Sequence, residues 1–258
     1  MAQSKKTSRA RARSNRETEL EIAESLSQNF INPNPIKRQI KLKQFAWTEK
    51  QKEFFKIALD KDTNIVLVNG PAGTAKTLLA TYCSLQLMNM KAVSDIMYLR
   101  SAVESADKSL GFLPGSAEEK LRFFNLPFLD KLDELLVNTR VEKLEQEERI
   151  SMFPVNFARG MNWKAKSIIL DEAQNSTIKE ITTVLTRLGE GSKCFILADP
   201  MQTDLKHEDK QHGFEKMFKL FADEESYDMG IKTFSFDEDD VMRSKLVKFL
   251  TAKLKKLN

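Results

Sequence analysis

From Phe45 onward the chain alternates short apolar runs with stretches whose apolar residues fall at helical spacing. The runs are NIVLV (64–68), DIMYL (95–99), ISMFPV (150–155), SIIL (167–170), KCFILA (193–198) and IKTFSF (231–236). Runs this short and apolar, separated by helices, predict an α/β fold with a parallel sheet covered on both faces. Pro154 removes one ladder N–H, so the run 150–155 is expected at a sheet edge or strand end. A helix is predicted over KTLLATYCSLQLM, directly after the first run, and more helix across the charged, leucine-bearing stretch Glu118 to Arg149. Leu246, Leu250, Leu254 and Leu257 share one face of a further predicted helix within 241–257. The first 40 residues are polar and end in NPNPIK, which predicts a flexible arm at 1–40 ahead of one domain at 41–258.

Composition agrees with a globular chain: 41% of the 258 residues are hydrophobic and 30% charged, enough for a substantial core. No apolar run reaches the roughly 18 residues of a membrane-spanning helix, so no membrane is expected as a partner. The N-terminus lacks the apolar stretch of a secretory signal. Cys83 and Cys194 form no paired motif, and a reducing cytoplasm is the expected compartment. Charge changes the picture more. Lys5, Lys6, Arg9, Arg11, Arg13 and Arg16 precede the first acid, and setting these six aside turns the net +4 into −2 for residues 17–258. The basicity belongs to the arm, where it suits salt-sensitive contact with nucleic acid or serves solubility.

The chemistry begins after the first run. Gly70-Pro71-Ala72-Gly73-Thr74-Ala75-Lys76-Thr77 follows the phosphate-cradling pattern G-x-x-x-x-G-K-[ST] except at Ala75, where the second glycine belongs. A strand before it and a helix after it would point backbone N–H groups at phosphate oxygens, which makes ATP the expected ligand. Lys76 would neutralise the β- and γ-phosphates, and the Thr77 hydroxyl would ligate Mg²⁺. The run SIIL delivers Asp171 and Glu172 at its C-terminal end, where ligands bind in such sheets. Asp171 suits a Mg²⁺ ion held through water, and Glu172 suits a base that takes a proton from the attacking water. A third element, ILADPMQTDL, brings Asp199 and Gln202 to the end of a strand expected between the other two, as sensors of the γ-phosphate.

The loop, LGFLPGS, LDEAQNS, TRLGEGSK and ADPMQTDL, in this order, resemble the PhoH-like proteins. The resemblance covers roughly residues 45–250 and implies one RecA-type P-loop NTPase domain, similar to the first domain of superfamily 1 helicases; the short, arm-bearing form resembles the phage-borne branch. The pattern departs at Ala75 and at Ala198, where the family usually has glycine. The resemblance implies a homo-oligomer, a hexameric ring, acting on single-stranded RNA or DNA. It also implies that Gln51 reads the adenine edge with Trp47 stacked on the ring, although Thr48-x-x-Gln51 reads equally as a capping box. Arg187 and Arg243 are the expected γ-phosphate cations, supplied to a neighbouring subunit because the chain has a single phosphate loop. Arg100 and SLGFLPGS follow the second strand, where related helicases touch nucleic-acid backbone. Two other functions share these residues: a P-loop kinase, and a nucleic-acid-binding scaffold that holds ATP without turnover.

Overall fold

A computed structural model describes residues 32–101, 117–158, 160, 162–199, 202 and 213–242, with backbone alone over 117–124. The predicted helix over 241–257, the stretch 109–116 and most of the arm lie outside the described residues.

All six apolar runs are strands: β1 (Ile65–Asn69), β2 (Asp95–Arg100), β3 (Ile150–Pro154), β4 (Lys166–Asp171), β5 (Lys193–Ala198) and β6 (Ile231–Ser235). They form one six-stranded sheet in the order β3-β2-β4-β5-β1-β6, and every pair is parallel. β3 is an edge strand that ends at Pro154, as its missing N–H requires. β5 is buried along its whole length and separates β1 from β4, the position expected for the third element.

Seven helices cover the sheet among the described residues: α1 (Glu49–Leu59), α2 (Lys76–Asn89), α3 (Ala117–Leu135), α4 (Val141–Gln146), α5 (Ile178–Leu185), α6 (Gly213–Leu220) and α7 (Glu224–Asp228). Alternate side chains of the strands feed two apolar clusters, one per face, as the period of two requires. Val66, Val68, Ile96, Tyr98, Ile169, Phe195 and Leu197 pack under α1, α2 and α3. Leu67, Met97, Leu99, Ile168, Leu170, Cys194 and Ile196 pack under α5 and α6. The helix α2 is buried from Leu78 to Leu85 without a break, because the sheet, α1 and α3 enclose it. This rigid seat fixes the loop that precedes it.

The stretch 32–40, assigned to the arm by its polarity, packs on the domain instead. Ile36 and Ile40 join the core at 7% and 3% exposure, and the Asn32 side chain donates to the Lys91 carbonyl at 3.1 Å. The Asn-Pro repeat punctuates the chain but does not keep the two isoleucines in water. No helix among the described residues is long and apolar enough to cross a membrane.

Candidate functional site

Every strand points its C-terminal end to the same edge of the sheet, so Asn69, Asp171 and Ala198 end side by side. The loop from Gly70 to Ala75 joins β1 to α2 along that edge. Gly70 has a packing reason to be glycine: a Cβ there would lie 2.8 Å from the Cβ of Phe236 and 3.2 Å from its carbonyl oxygen. Within the loop the buried Thr74 hydroxyl donates to the Pro71 carbonyl at 2.9 Å. The ammonium of Lys76 curls over the loop and donates to the carbonyls of Gly70 at 2.7 Å and Pro71 at 3.0 Å. No side chain caps the start of α2, so its first-turn N–H groups are suited to an anion.

Ala75 has φ 65° and ψ 23°, the left-handed region. An L-residue there costs about 1–2 kcal/mol, which glycine avoids. Its methyl is half-buried against the core, and glycine loses about 0.5–1 kcal/mol to chain entropy. Ala75→Gly is therefore expected to leave stability level or raise it by up to about 1 kcal/mol, a rise in melting temperature of no more than about 4 °C. The hydrolysis of ATP expected from the loop's sequence should likewise hold or increase. Thermal denaturation and phosphate release check this, and a marked loss of either would show that the methyl itself is required.

Asp171, only 5% exposed, ends β4. Its Oδ2 accepts from the Thr77 hydroxyl at 3.0 Å and from the Tyr98 hydroxyl at 2.9 Å. Burial pushes the Asp171 carboxyl above its ordinary range and the charge of Glu172 adds to this, while hydrogen bonds from Tyr98 and Thr77 pull it back. Burial, with the charge of Asp171, raises the Tyr98 phenol well above its usual range, so it stays a donor. The Tyr98 ring is stacked on Phe128 of α3 at 4.5 Å and 8°. Tyr98 is a part of the site that the sequence conceals, since a tyrosine in an apolar strand reads as core.

Glu172 follows in a left-handed conformation (φ 54°, ψ 40°), and its N–H donates to Asp171 Oδ1 at 3.0 Å. Backbone strain of this kind is typically retained where it aims a functional group. Gln174 ties this acid to the third element. Its Nε2 donates to Glu172 Oε2 at 2.5 Å and to the Gln202 carbonyl at 3.2 Å, while its Oε1 accepts the Asp199 N–H at 3.0 Å. Asp199 Oδ2 in turn accepts the N–H of Ala72 at 2.7 Å. A continuous hydrogen-bonded chain thus runs from Glu172 through Gln174 and Asp199 to the phosphate loop. The motif DEAQ displays Gln174 in sequence, but nothing there reveals what it joins.

These groups open into a cavity of about 660 Å³. Ala72, Gly73, Ala75, Lys76, Thr77, Asp171, Glu172 and Gln202 line it, and Trp47 and Gln51 line it as well. The Trp47 ring packs against Phe45, Phe55 and Tyr82 at centroid distances of 4.9, 5.0 and 5.1 Å. The capping box of Thr48 and Gln51 is formed. Arg187 is not brought to this cavity. Its carbonyl accepts the Trp163 N–H at 2.9 Å, close to the N-terminal ends of β4 and β5 and opposite to Asp171. Arg243 lies outside the described residues, but Met242 before it lines the cavity and donates its N–H to the Gly73 carbonyl at 2.9 Å.

Among the described residues, no group of three or more His, Cys, Asp or Glu could hold a metal ion. Mg²⁺ needs no such cage: it is commonly bound by one or two protein oxygens together with substrate phosphates. The paired oxygens of Thr77 and Asp171, at the mouth of the loop, fit that donor set.

Residues 45–255 match the family described as PhoH, PhoH-like protein. The chain is 34% identical over 232 residues to a PhoH-like protein of Bacillus subtilis, covering 90% of this chain and 69% of that one. It is 34% identical over 202 residues to a PhoH-like protein of a Synechocystis species, covering 78% of this chain and 59% of the relative. Among solved structures it is similar to the flagellar accessory protein FlaH of Methanocaldococcus jannaschii, at 11% identity over 82% of this chain and 76% of that one, with a TM-score of 0.28.

Proposed function

The chain belongs to the PhoH-like protein family and is an ATP-binding P-loop protein, and from that premise we propose that it is a Mg²⁺-dependent ATPase acting as a homo-oligomeric, helicase-like motor on single-stranded nucleic acid. The observation that carries the hydrolytic part is the 3.0 Å contact between Thr77 and Asp171, which joins the phosphate loop to the acidic strand across the intervening β5. In this reading the loop N–H groups and Lys76 bind the phosphates, and Lys76 exchanges its carbonyl contacts for phosphate oxygens. Thr77 and Asp171 hold Mg²⁺, which when bound supplies neutralisation of phosphate charge. Glu172 accepts a proton from the attacking water, held in place by Gln174. Asp199 and Gln202 sit where a change at the γ-phosphate reaches both the loop and Glu172. Adenine rests at the Trp47 and Gln51 end of the cavity. Arg243, and Arg187 from the far end of the sheet, act on the ATP of a neighbour in a hexameric ring. Cytoplasmic residence follows from this role, in a host cell if the chain is phage-encoded.

Nucleic-acid dependence has its own test. ATP hydrolysis should rise when single-stranded RNA or DNA is added, in particles whose solution mass is a multiple of the 29.6 kDa chain. Deleting residues 1–16, with their six basic side chains, should weaken binding of an oligonucleotide and flatten its salt dependence while basal hydrolysis survives. Monomeric particles, or hydrolysis indifferent to both nucleic acids, would overturn the motor while leaving the ATPase.

A further inference from the structure

The carboxylate of Asp171 is held by donors from three parts of the fold. Its Oδ1 accepts the N–H of Glu172 at 3.0 Å, and its Oδ2 accepts the Thr77 hydroxyl at 3.0 Å and the Tyr98 hydroxyl at 2.9 Å. Glu172 and Thr77 have further work in the nucleotide reading, one toward the attacking water and the other toward Mg²⁺. The Tyr98 hydroxyl has no such second task.

The setting of Tyr98 makes it a fixed donor. The residue is fully buried in β2, which pairs with β4 as far as Arg100 and Asp171. Its ring lies on Phe128 of α3, with centroids 4.5 Å apart and planes 8° apart. A phenol oxygen lies on the axis of its ring, so turning the ring about its last torsion leaves the oxygen in place. The hydroxyl of Thr77 moves with χ1 and is the donor that can be released. A buried phenol calls for a partner, and a backbone carbonyl would serve as well. Here it is directed at the carboxylate that ends β4 on the nucleotide edge.

A fixed carboxylate bears on the choice of cation. Mg²⁺ demands nearly ideal octahedral geometry at about 2.0–2.1 Å and keeps its waters, whereas Ca²⁺ accepts irregular geometry at about 2.3–2.6 Å. Groups that hold a carboxylate from outside a metal site set its orientation and tune the affinity. We propose that Tyr98 is a positioning residue for the metal: its hydroxyl, seated by the stack on Phe128, holds Asp171 in the orientation that receives Mg²⁺ together with Thr77 and disfavours a larger cation. This rests on the nucleotide reading above and adds to it the origin of the metal preference.

Tyr98→Phe removes one oxygen and keeps the ring, so the stack on Phe128 and the packing around it survive. Calorimetric titration of the full chain with adenylyl imidodiphosphate, which is not hydrolysed, reads the metal's share of binding in Mg²⁺, in Ca²⁺ and in chelator. The native chain is expected to bind most tightly with Mg²⁺. Tyr98→Phe should weaken binding with Mg²⁺ by at least about tenfold, weaken it less with Ca²⁺, and leave it unchanged in chelator. Phe128→Leu loosens the ring but keeps the hydroxyl; it should show the same pattern in smaller measure, and it carries the test if Tyr98→Phe does not fold. Unchanged binding with Mg²⁺ in both variants would overturn the proposal, as would an equal loss in all three conditions, which marks general damage to the fold. A loss of the same size with both metals would overturn the selectivity assigned to Tyr98. A native chain that binds the analogue equally with Mg²⁺ and in chelator would overturn the metal site itself, and one that does not bind it at all would overturn the nucleotide reading, each taking the proposal with it.

Discussion

Glu172→Gln is expected to bind ATP as the native chain does and to turn it over about 10²–10⁴-fold more slowly, the usual contribution of a positioned general base. The amide retains the size of the carboxylate and leaves Asp171, Thr77 and the loop untouched. It also retains an oxygen for the Gln174 Nε2 donor, so the chain from Gln174 to Asp199 and Ala72 survives. What disappears is the capacity to take a proton. Lys76→Ala should fail differently, at the binding step. Its ammonium is the loop's own cation and is assigned to both the β- and γ-phosphates, so nucleotide binding is expected to be abolished. Parallel binding and single-turnover measurements on the two variants separate the roles. Equal turnover in the native chain and Glu172→Gln would remove Glu172 from its part.

Loss of an arginine finger has the largest effect to be expected here, about 10³–10⁵ in rate. Arg243→Ala is predicted to show it in assembled particles and to leave ATP binding intact. The guanidinium is assigned to a neighbour's ATP, because the chain has one phosphate loop. The residue before it is tied to its own loop through Met242 and Gly73, so the two directions of action must be told apart. Mixing Arg243→Ala subunits with Lys76→Ala subunits does so. Each is inactive alone, but some interfaces of a mixed ring place an intact loop against an intact arginine. Recovered hydrolysis supports action across the interface. No recovery, in rings shown by mass to be mixed, would confine Arg243 to its own subunit or to no role.

The strands were legible because a parallel sheet buried on both faces leaves short, continuous apolar runs, and each of the six runs became a strand. The place of β5 between β1 and β4 was expected from the architecture that the motifs imply, and the sheet has it. Contacts between distant residues were not legible. Tyr98 reaches Asp171 because β2 pairs with β4, and Phe128 of α3 stacks on its ring; no periodicity reports either contact. Backbone conformation was hidden as well: Ala75 and Glu172 both adopt left-handed φ without the glycine that usually signals it. The packed stretch 32–40 was obscured by the polar residues around Ile36 and Ile40. Arg187 stands near the motif that names it in sequence, yet α5 carries the chain from the Asp171 end of the sheet to the opposite one.

The central claim is that the joined loop and acid hydrolyse ATP and do not merely hold it. Phosphate release by the purified full chain is the most direct measurement, with Mg²⁺ and with a chelator, at a concentration where the particles are assembled and with single-stranded RNA and DNA supplied. The expected result is release with Mg²⁺, none with chelator, and a fall of about 10²–10⁴-fold in Glu172→Gln. ATP bound tightly with Mg²⁺ but never cleaved, with or without nucleic acid, would contradict it and leave a nucleotide-holding scaffold.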